Sequence, residues 1–239
     1  MGWKVTLKMH NMGEYDGQGN QGKPSNAKTW FKNYNVLVQR ISNIAKEFNH
    51  TRFIISNEMS NVSNLKSNKT YWKNIINQVK KKGLKVGSSV NMPEISEYDG
   101  YQLWEYLDFY GINLYPRLTN RGKEWAKSHP IELANGFYND TKGRNFATII
   151  ENLRKKGKNV WVTEFGCMPS KDGLSNPAYW GSDSVEDQEV QKIYLDAIFP
   201  VISRLESVDV MTFWVGNLED PFGVIGKQAE SILKKCWGK

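Results

Sequence analysis

The chain has 239 residues, of which 39% are hydrophobic and 13% aromatic, and it carries a formal net charge of +7. This length and hydrophobic content suit one large core, so we expect a single domain over residues 1–239. The basic residues are spread along the chain without a zinc-finger, RNA-binding or helix-turn-helix motif, so no nucleic-acid partner is expected. Two cysteines and three widely spaced histidines make no ligand pattern, and we expect neither a metal nor an organic cofactor.

Short apolar runs alternate along the chain with longer amphipathic ones. Six runs are typical of strands: residues 3–10, 53–58, 84–90, 107–115, 160–165 and 208–215. Helical spacing predicts helices over residues 30–48, 71–82, 145–156, 185–205 and 227–236, and a short one near 101–106. Three long loops each follow a strand: residues 11–26, 116–142 and 166–184.

The predicted helices carry an apolar face and have basic ends. In the first helix we expect the buried face to contain Val36, Leu37, Ile41, Ile44, Ala45 and Phe48. The basic clusters at residues 80–82 and 154–156 each precede a glycine, as at helix C-termini, where cations complement the helix dipole. Much of the positive charge is thereby explained without an anionic partner.

No apolar stretch resembles a signal peptide or a transmembrane segment, so membrane insertion is not expected. The sequence therefore does not indicate in which compartment the protein acts. An extracellular or cell-wall location is favoured if an export signal lies outside this sequence.

Six strand-then-helix repeats without tandem hairpins predict a parallel sheet covered by helices, which defines the α/β class. Open doubly wound sheets and (β/α)8 barrels share this pattern. Three observations favour the barrel: no glycine-rich phosphate loop follows the first strand, the long loops follow strand C-termini, and polar residues end several strands. A complete barrel has eight units, so the predicted fold is a partial (β/α)8 TIM barrel with about six βα units.

Two predicted strands end in a glutamate, within Asn57-Glu58 and Thr163-Glu164-Phe165-Gly166. A carboxylate at the end of a buried strand costs folding energy unless it is used. Capping or a salt bridge is the ordinary explanation for one such residue. Two of them suggest retaining glycoside hydrolysis, in which one acid protonates the leaving oxygen and a second carboxylate attacks the anomeric carbon. They lie on the fourth and seventh barrel strands if the first visible strand is the third.

These residues resemble those of the (β/α)8 glycosidases, and the chain is most similar to glycoside hydrolase family 113, the β-mannanase-like enzymes. The similarity includes Leu7-Lys8-Met9-His10 on the third strand, residues 107–116 on the sixth, and Gln188-Glu189-Val190-Gln191 on the seventh helix. The first two βα units of the family's barrel have no counterpart. Val215-Gly216-Asn217 also departs from the more acidic, aromatic stretch of the family.

The resemblance implies a role for each matching residue. Glu58 would be the general acid/base and Glu164 the nucleophile, while Asn57 would hydrogen-bond the sugar 2-hydroxyl. Further substrate contacts are expected from Tyr115, Trp214, Trp180, Lys8 and His10. Tyr115 would orient the nucleophile or only fix the turn at Pro116, and Trp214 would stack on the sugar or only fill the core.

The predicted function is a retaining glycosidase acting on a β-linked polysaccharide or oligosaccharide, with β-mannan foremost. A noncatalytic carbohydrate-binding or assembly barrel, such as a wall-associated or phage-tail component, stays open as an alternative. So do a glycosidase acting on bacterial cell-wall glycan and an inactive remnant of the family. The expected partners are a carbohydrate substrate and either a second copy or an upstream fragment that completes the barrel.

Overall fold

The structure is a computed structural model that describes residues 5–10, 24–91, 103–179, 184–212 and 222–237. The chain divides into two compact units, Met1–Asn113 and Leu114–Lys239. The described strands are β1 (Leu7–Lys8), β2 (Arg52–Asn57), β3 (Lys85–Val90), β4 (Phe109–Leu114), β5 (Asn159–Phe165) and β6 (Val210–Met211). The described α-helices are α1 (Ala27–Glu47), α2 (Ser60–Ser63), α3 (Lys69–Lys80), α4 (Gly122–Ser128), α5 (Pro130–Asn135), α6 (Phe146–Arg154), α7 (Gln188–Ser203) and α8 (Glu230–Trp237), and two short 3-10 helices lie at Lys66–Asn68 and Trp104–Tyr106.

In the first unit, β1 to β4 pair in chain order and every pair is parallel. Helices connect the strands, so the predicted α/β class is confirmed. β2 and β3 are buried along nearly their whole length, as expected for parallel strands covered on both faces. Gly87 lets β3 approach its neighbour closely, because a Cβ there would lie 2.2 Å from the Phe109 ring.

Helix α1 buries a different face from the one predicted. Phe31, Tyr34, Val38, Ser42 and Ala45 are buried, whereas Val36, Leu37, Ile44 and Phe48 are exposed. The prediction was wrong for those four because the apolar face and the buried face both follow helical spacing but differ by roughly a quarter of a turn, and spacing alone does not show which face is buried. The buried set follows helical spacing and includes Tyr34, whose hydroxyl donates a 2.6 Å hydrogen bond to the Ile55 carbonyl.

As predicted, each basic cluster lies at a helix C-terminus, because α3 ends at Lys80 and α6 ends at Arg154. Helix α3 ends at Lys80 and Gly83 follows with φ +83°, a left-handed conformation that favours glycine. The basic side chains here form contacts within the chain. Lys80 pairs with Asp108 at 2.9 Å, and Lys82 Nζ donates to the Gln39 carbonyl and the Ser42 hydroxyl.

In the second unit, β5 and β6 pair in parallel. The loop predicted over residues 116–142 contains the short helices α4 and α5. Pro130 at the first position of α5 was a usable start signal, but helices of six or seven residues are too short to show an apolar period. No helix within the described ranges is long and apolar enough to cross a membrane.

Candidate active site

Glu58 follows the last residue of β2, where the strand departs from regular geometry. The pairing of β2 with β3 shifts register between Ile54 and Asn57, and Glu58 has φ +50°. Its backbone N–H donates to the Ser89 carbonyl at 2.9 Å. Bulges and left-handed residues re-aim side chains at the ends of strands and occur often at functional sites. The local backbone therefore gives Glu58 a direction that a regular strand would not.

A buried polar cluster surrounds Glu58. We call Asn57, Glu58, Ser89 and Asn113 the Glu58 cluster. Asn113 Nδ2 donates to Glu58 Oε1 at 2.7 Å and to Asn57 Oδ1 at 3.2 Å. The Ser89 hydroxyl donates to Asn113 Oδ1 at 2.7 Å. Asn57, Ser89 and Asn113 are each only 1% exposed, whereas Glu58 is half-buried, so water has little access to these bonds except at the carboxylate.

Ser89 and Asn113 were not predicted as site residues. Their position in the sequence could have identified them, because Ser89 lies near the end of β3 and Asn113 near the end of β4. Carboxyl ends of adjacent parallel strands meet at one edge of a sheet. A polar residue at the end of an apolar run is thus a candidate even when it is not acidic.

Glu164 lies near the end of β5 and is 6% exposed. Its Oε2 accepts a 3.0 Å hydrogen bond from the Tyr115 hydroxyl. A buried carboxylate requires such partners. The Tyr115 ring also contacts Phe222 edge-on, with 6.2 Å between ring centroids. Tyr115 and Glu164 therefore lie together in the second unit, as a residue that orients this carboxylate requires.

The segment after β5 is held by helix α7. Gln191 Nε2 donates to the Cys167 carbonyl at 2.8 Å and to the Phe222 carbonyl at 3.1 Å, and Gln191 is completely buried. The Cys167 side chain is also buried, and burial raises the pKa of its thiol. Cys167 is therefore a packing residue in its neutral form rather than a reactive thiolate.

The remaining predicted site residues fall into two groups. Lys8 lies in β1 and pairs with Ile54 of β2, and His10 lies two residues after Lys8. The side chains of Lys8 and His10 are half-buried. Trp180 and Trp214 lie outside the described residues. Within the described part of the chain, no group of three or more His, Cys, Asp or Glu side chains is placed to hold a metal ion.

The chain matches known proteins at the level of family and fold. A family model described as Glycoside Hydrolase Family 113 matches residues 13–219. No protein with a curated description matches the chain. Among solved structures, a GH113 β-1,4-mannanase aligns with a TM-score of 0.69 at 18% identity, over 92% of this chain and 66% of that one.

Two further solved structures show the same fold. The GH113 β-mannanase of Alicyclobacillus acidocaldarius, in complex with ManMIm, has a TM-score of 0.65 at 15% identity and covers 88% of this chain and 62% of that one. A β-glucuronidase from Ruminococcus gnavus has a TM-score of 0.63 at 16% identity and covers 91% of this chain and 38% of that one.

These likenesses confirm the predicted fold class, a partial barrel of the (β/α)8 type. The chain spans less than two thirds of the length of the solved mannanases. Since the family model covers most of the chain, the predicted family is confirmed as well. The chain belongs to glycoside hydrolase family 113.

Proposed function

We propose that this protein is a retaining glycoside hydrolase that cleaves a β-linked glycan, with β-mannan the foremost substrate. One observation carries the proposal: each strand-end glutamate accepts a hydrogen bond from a neutral side chain. The amide N–H of Asn113 donates a hydrogen bond to Glu58, and the hydroxyl of Tyr115 donates one to Glu164. A hydrogen bond from a neutral side chain orients a carboxylate without cancelling its charge, so the carboxylate can still exchange a proton or attack carbon.

In the first proposed step, Glu164 attacks the anomeric carbon while Glu58 protonates the glycosidic oxygen, so the glycosidic bond breaks and a glycosyl-enzyme forms. In the second step, Glu58 takes a proton from water, the water oxygen attacks the anomeric carbon, and Glu164 leaves. Asn57 Oδ1 accepts from Asn113, which fixes the orientation of the Asn57 amide. Its Nδ2 is then the atom that donates to the sugar 2-hydroxyl.

Family membership supports mannan as the substrate, as does the likeness to solved structures of β-mannanases. We would test wild type and Glu164→Ala against mannan, β-glucan, xylan and peptidoglycan. Hydrolysis of mannan by wild type, with at least a thousandfold loss in Glu164→Ala, is the expected result for a missing nucleophile. Glu132→Ala, which alters an exposed glutamate of α5, is the control and should hydrolyse like wild type.

The retaining mechanism has its own test. Proton NMR of the first product should show the β-anomer. A 2-deoxy-2-fluoro-β-mannosyl fluoride should label the peptide that contains Glu164, detected by mass spectrometry. An α-anomer as first product, or a label on another residue, would contradict the assignment of Glu164.

A noncatalytic carbohydrate-binding barrel is the second candidate, favoured by the departure of residues 215–217 from the more acidic, aromatic stretch of the family. It predicts glycan binding that is equal in wild type and Glu164→Ala, with no hydrolysis by either. The formal net charge of +7 also suits an anionic polymer such as a cell-wall glycan. Hydrolysis confined to the peptidoglycan arm of the screen would identify that substrate instead of mannan.

A further inference from the structure

We propose that Asn113 is the positioning residue of the acid/base glutamate: it holds Glu58 for proton transfer and Asn57 for sugar binding, and Ser89 fixes its orientation. This inference rests on the proposed function and deepens it. All residues involved belong to the Glu58 cluster in the first unit.

Three hydrogen bonds close a ring through three consecutive strands. The Glu58 backbone N–H donates to the Ser89 carbonyl at 2.9 Å. The Ser89 hydroxyl donates to Asn113 Oδ1 at 2.7 Å, and Asn113 Nδ2 donates to Glu58 Oε1 at 2.7 Å. The ring therefore fixes the backbone and the carboxylate of Glu58 at the same time.

The orientation of the Asn113 amide follows from its surroundings. Ser89 supplies a hydroxyl donor on one side, whereas Asn57 Oδ1 and Glu58 Oε1 are two acceptors on the other. The reversed amide would put Oδ1 against both of those oxygens. Because an amide nitrogen carries two N–H groups, the observed orientation satisfies Asn57 and Glu58 together.

Burial makes these bonds effective. Asn57, Ser89 and Asn113 are 1% exposed, and a satisfied polar network in a buried setting is rigid. The ring also supports a backbone in the left-handed region at Glu58, which has φ +50°.

The donor has a chemical consequence for catalysis. A hydrogen bond from N–H to a carboxylate favours its ionised form. Glu58 must be protonated in the first step and ionised in the second. Without the donor, Glu58 keeps its proton to higher pH. The alkaline limb of the plot of kcat/KM against pH therefore moves to higher pH.

The first experiment compares wild type with Asn113→Leu, which keeps the size but removes the amide, on aryl glycosides of the sugar that wild type cleaves. We expect the alkaline limb of the kcat/KM profile to move to higher pH by about one unit. We expect kcat/KM to fall at least roughly tenfold for poor leaving groups and less than about twofold for a dinitrophenyl group, which needs no protonation. Asn74→Leu, at an exposed site in α3, should match wild type.

The second experiment is independent of hydrolysis. Carbon-13 NMR of labelled glutamate carboxyls gives the titration of Glu58, assigned by the signal lost in Glu58→Gln. This signal should titrate at lower pH in wild type than in Asn113→Leu. Titration at the same pH would overturn the inference. If wild type cleaves no glycoside, the proposed function fails, while the titration still decides the role of Asn113.

Ser89→Ala covers the case in which Asn113→Leu does not fold. It removes only the hydroxyl that orients Asn113. A smaller shift of the Glu58 titration in the same direction is expected, together with a smaller rise of the alkaline limb. No shift in a folded Ser89→Ala protein would contradict the role assigned to Ser89.

Discussion

The hydroxyl of Tyr115 donates a 3.0 Å hydrogen bond to Oε2 of Glu164. Glu164 is 6% exposed, so water competes little with this bond, and hydrogen bonds to charged acceptors are stronger than neutral ones. The contact with Phe222 restricts the Tyr115 ring. We therefore infer that Tyr115 helps to orient the Glu164 carboxylate.

Tyr115→Phe should reduce kcat/KM roughly 10- to 100-fold, because the lost hydrogen bond to a charged group is worth about 1.5–3 kcal/mol. Steady-state kinetics on the best glycoside substrate measure the effect. Tyr138→Phe is the matched control, since Tyr138 is an exposed tyrosine of the same unit. An unchanged kcat/KM in Tyr115→Phe would show that the hydroxyl does not assist Glu164.

Gly87→Ala should destabilise the protein by about 1–3 kcal/mol through overpacking. The added Cβ would lie 2.2 Å from the Phe109 ring, and Phe109 is only 3% exposed and cannot move away cheaply. Urea unfolding measures the loss. The double variant Gly87→Ala with Phe109→Leu should recover part of it, and a double variant with simply additive losses would contradict the steric explanation.

The stability contributed by Asp140 should depend on pH. Burial opposes ionisation of Asp140, but the Arg144 guanidinium and the backbone N–H groups of Arg144 and Lys142 outweigh it and hold the pKa of this carboxyl below its usual value. A depressed folded-state pKa gives stability that is present above the unfolded pKa and lost as pH falls through the folded one.

Asp140→Asn should therefore lower the free energy of unfolding at pH 7 by about 1.5–3 kcal/mol, with the difference shrinking below about pH 4. Urea unfolding of both proteins between pH 2 and pH 7 would measure it. Asp172→Asn, at an exposed position, serves as the comparison. A wild-type advantage that stays constant over this range would be inconsistent with the ion pair.

Gln191→Leu should lower the free energy of unfolding by roughly 2–4 kcal/mol, because it removes the donor shared by the buried carbonyls of Cys167 and Phe222. Thermal unfolding measures the effect. Gln188 is on the same helix, and its amide donates to the exposed Glu186. Gln188→Leu should therefore change the free energy of unfolding little. Equal losses in the two variants would indicate a general effect on α7 instead.

The strands that position the two glutamates were predictable because buried parallel strands are continuous apolar runs. The predicted run at residues 53–58 is shifted by one residue from β2, and the run at 160–165 begins one residue after the start of β5. The edge strands were less predictable. Runs predicted over residues 3–10 and 208–215 contain only two-residue ladders in the described chain, Leu7–Lys8 and Val210–Met211.

The residues that support the glutamates were harder to predict. Tyr115 followed from the family resemblance, whereas the sequence marks Ser89 and Asn113 only by their position near the end of an apolar run. Their role depends on strand register, since Asn57 pairs with Ser89 across β2 and β3. Register arises from tertiary pairing, which a single sequence specifies only weakly.

On the catalytic role that we propose for Glu58, its left-handed backbone lowers stability at the same position that activity requires. A non-glycine residue with this conformation costs about 1–3 kcal/mol, and glycine would remove much of that cost together with the carboxylate. Selection for heat tolerance alone would therefore favour loss of Glu58. Engineering of this protein for thermal resistance has to keep residue 58 fixed and seek stability elsewhere in the fold.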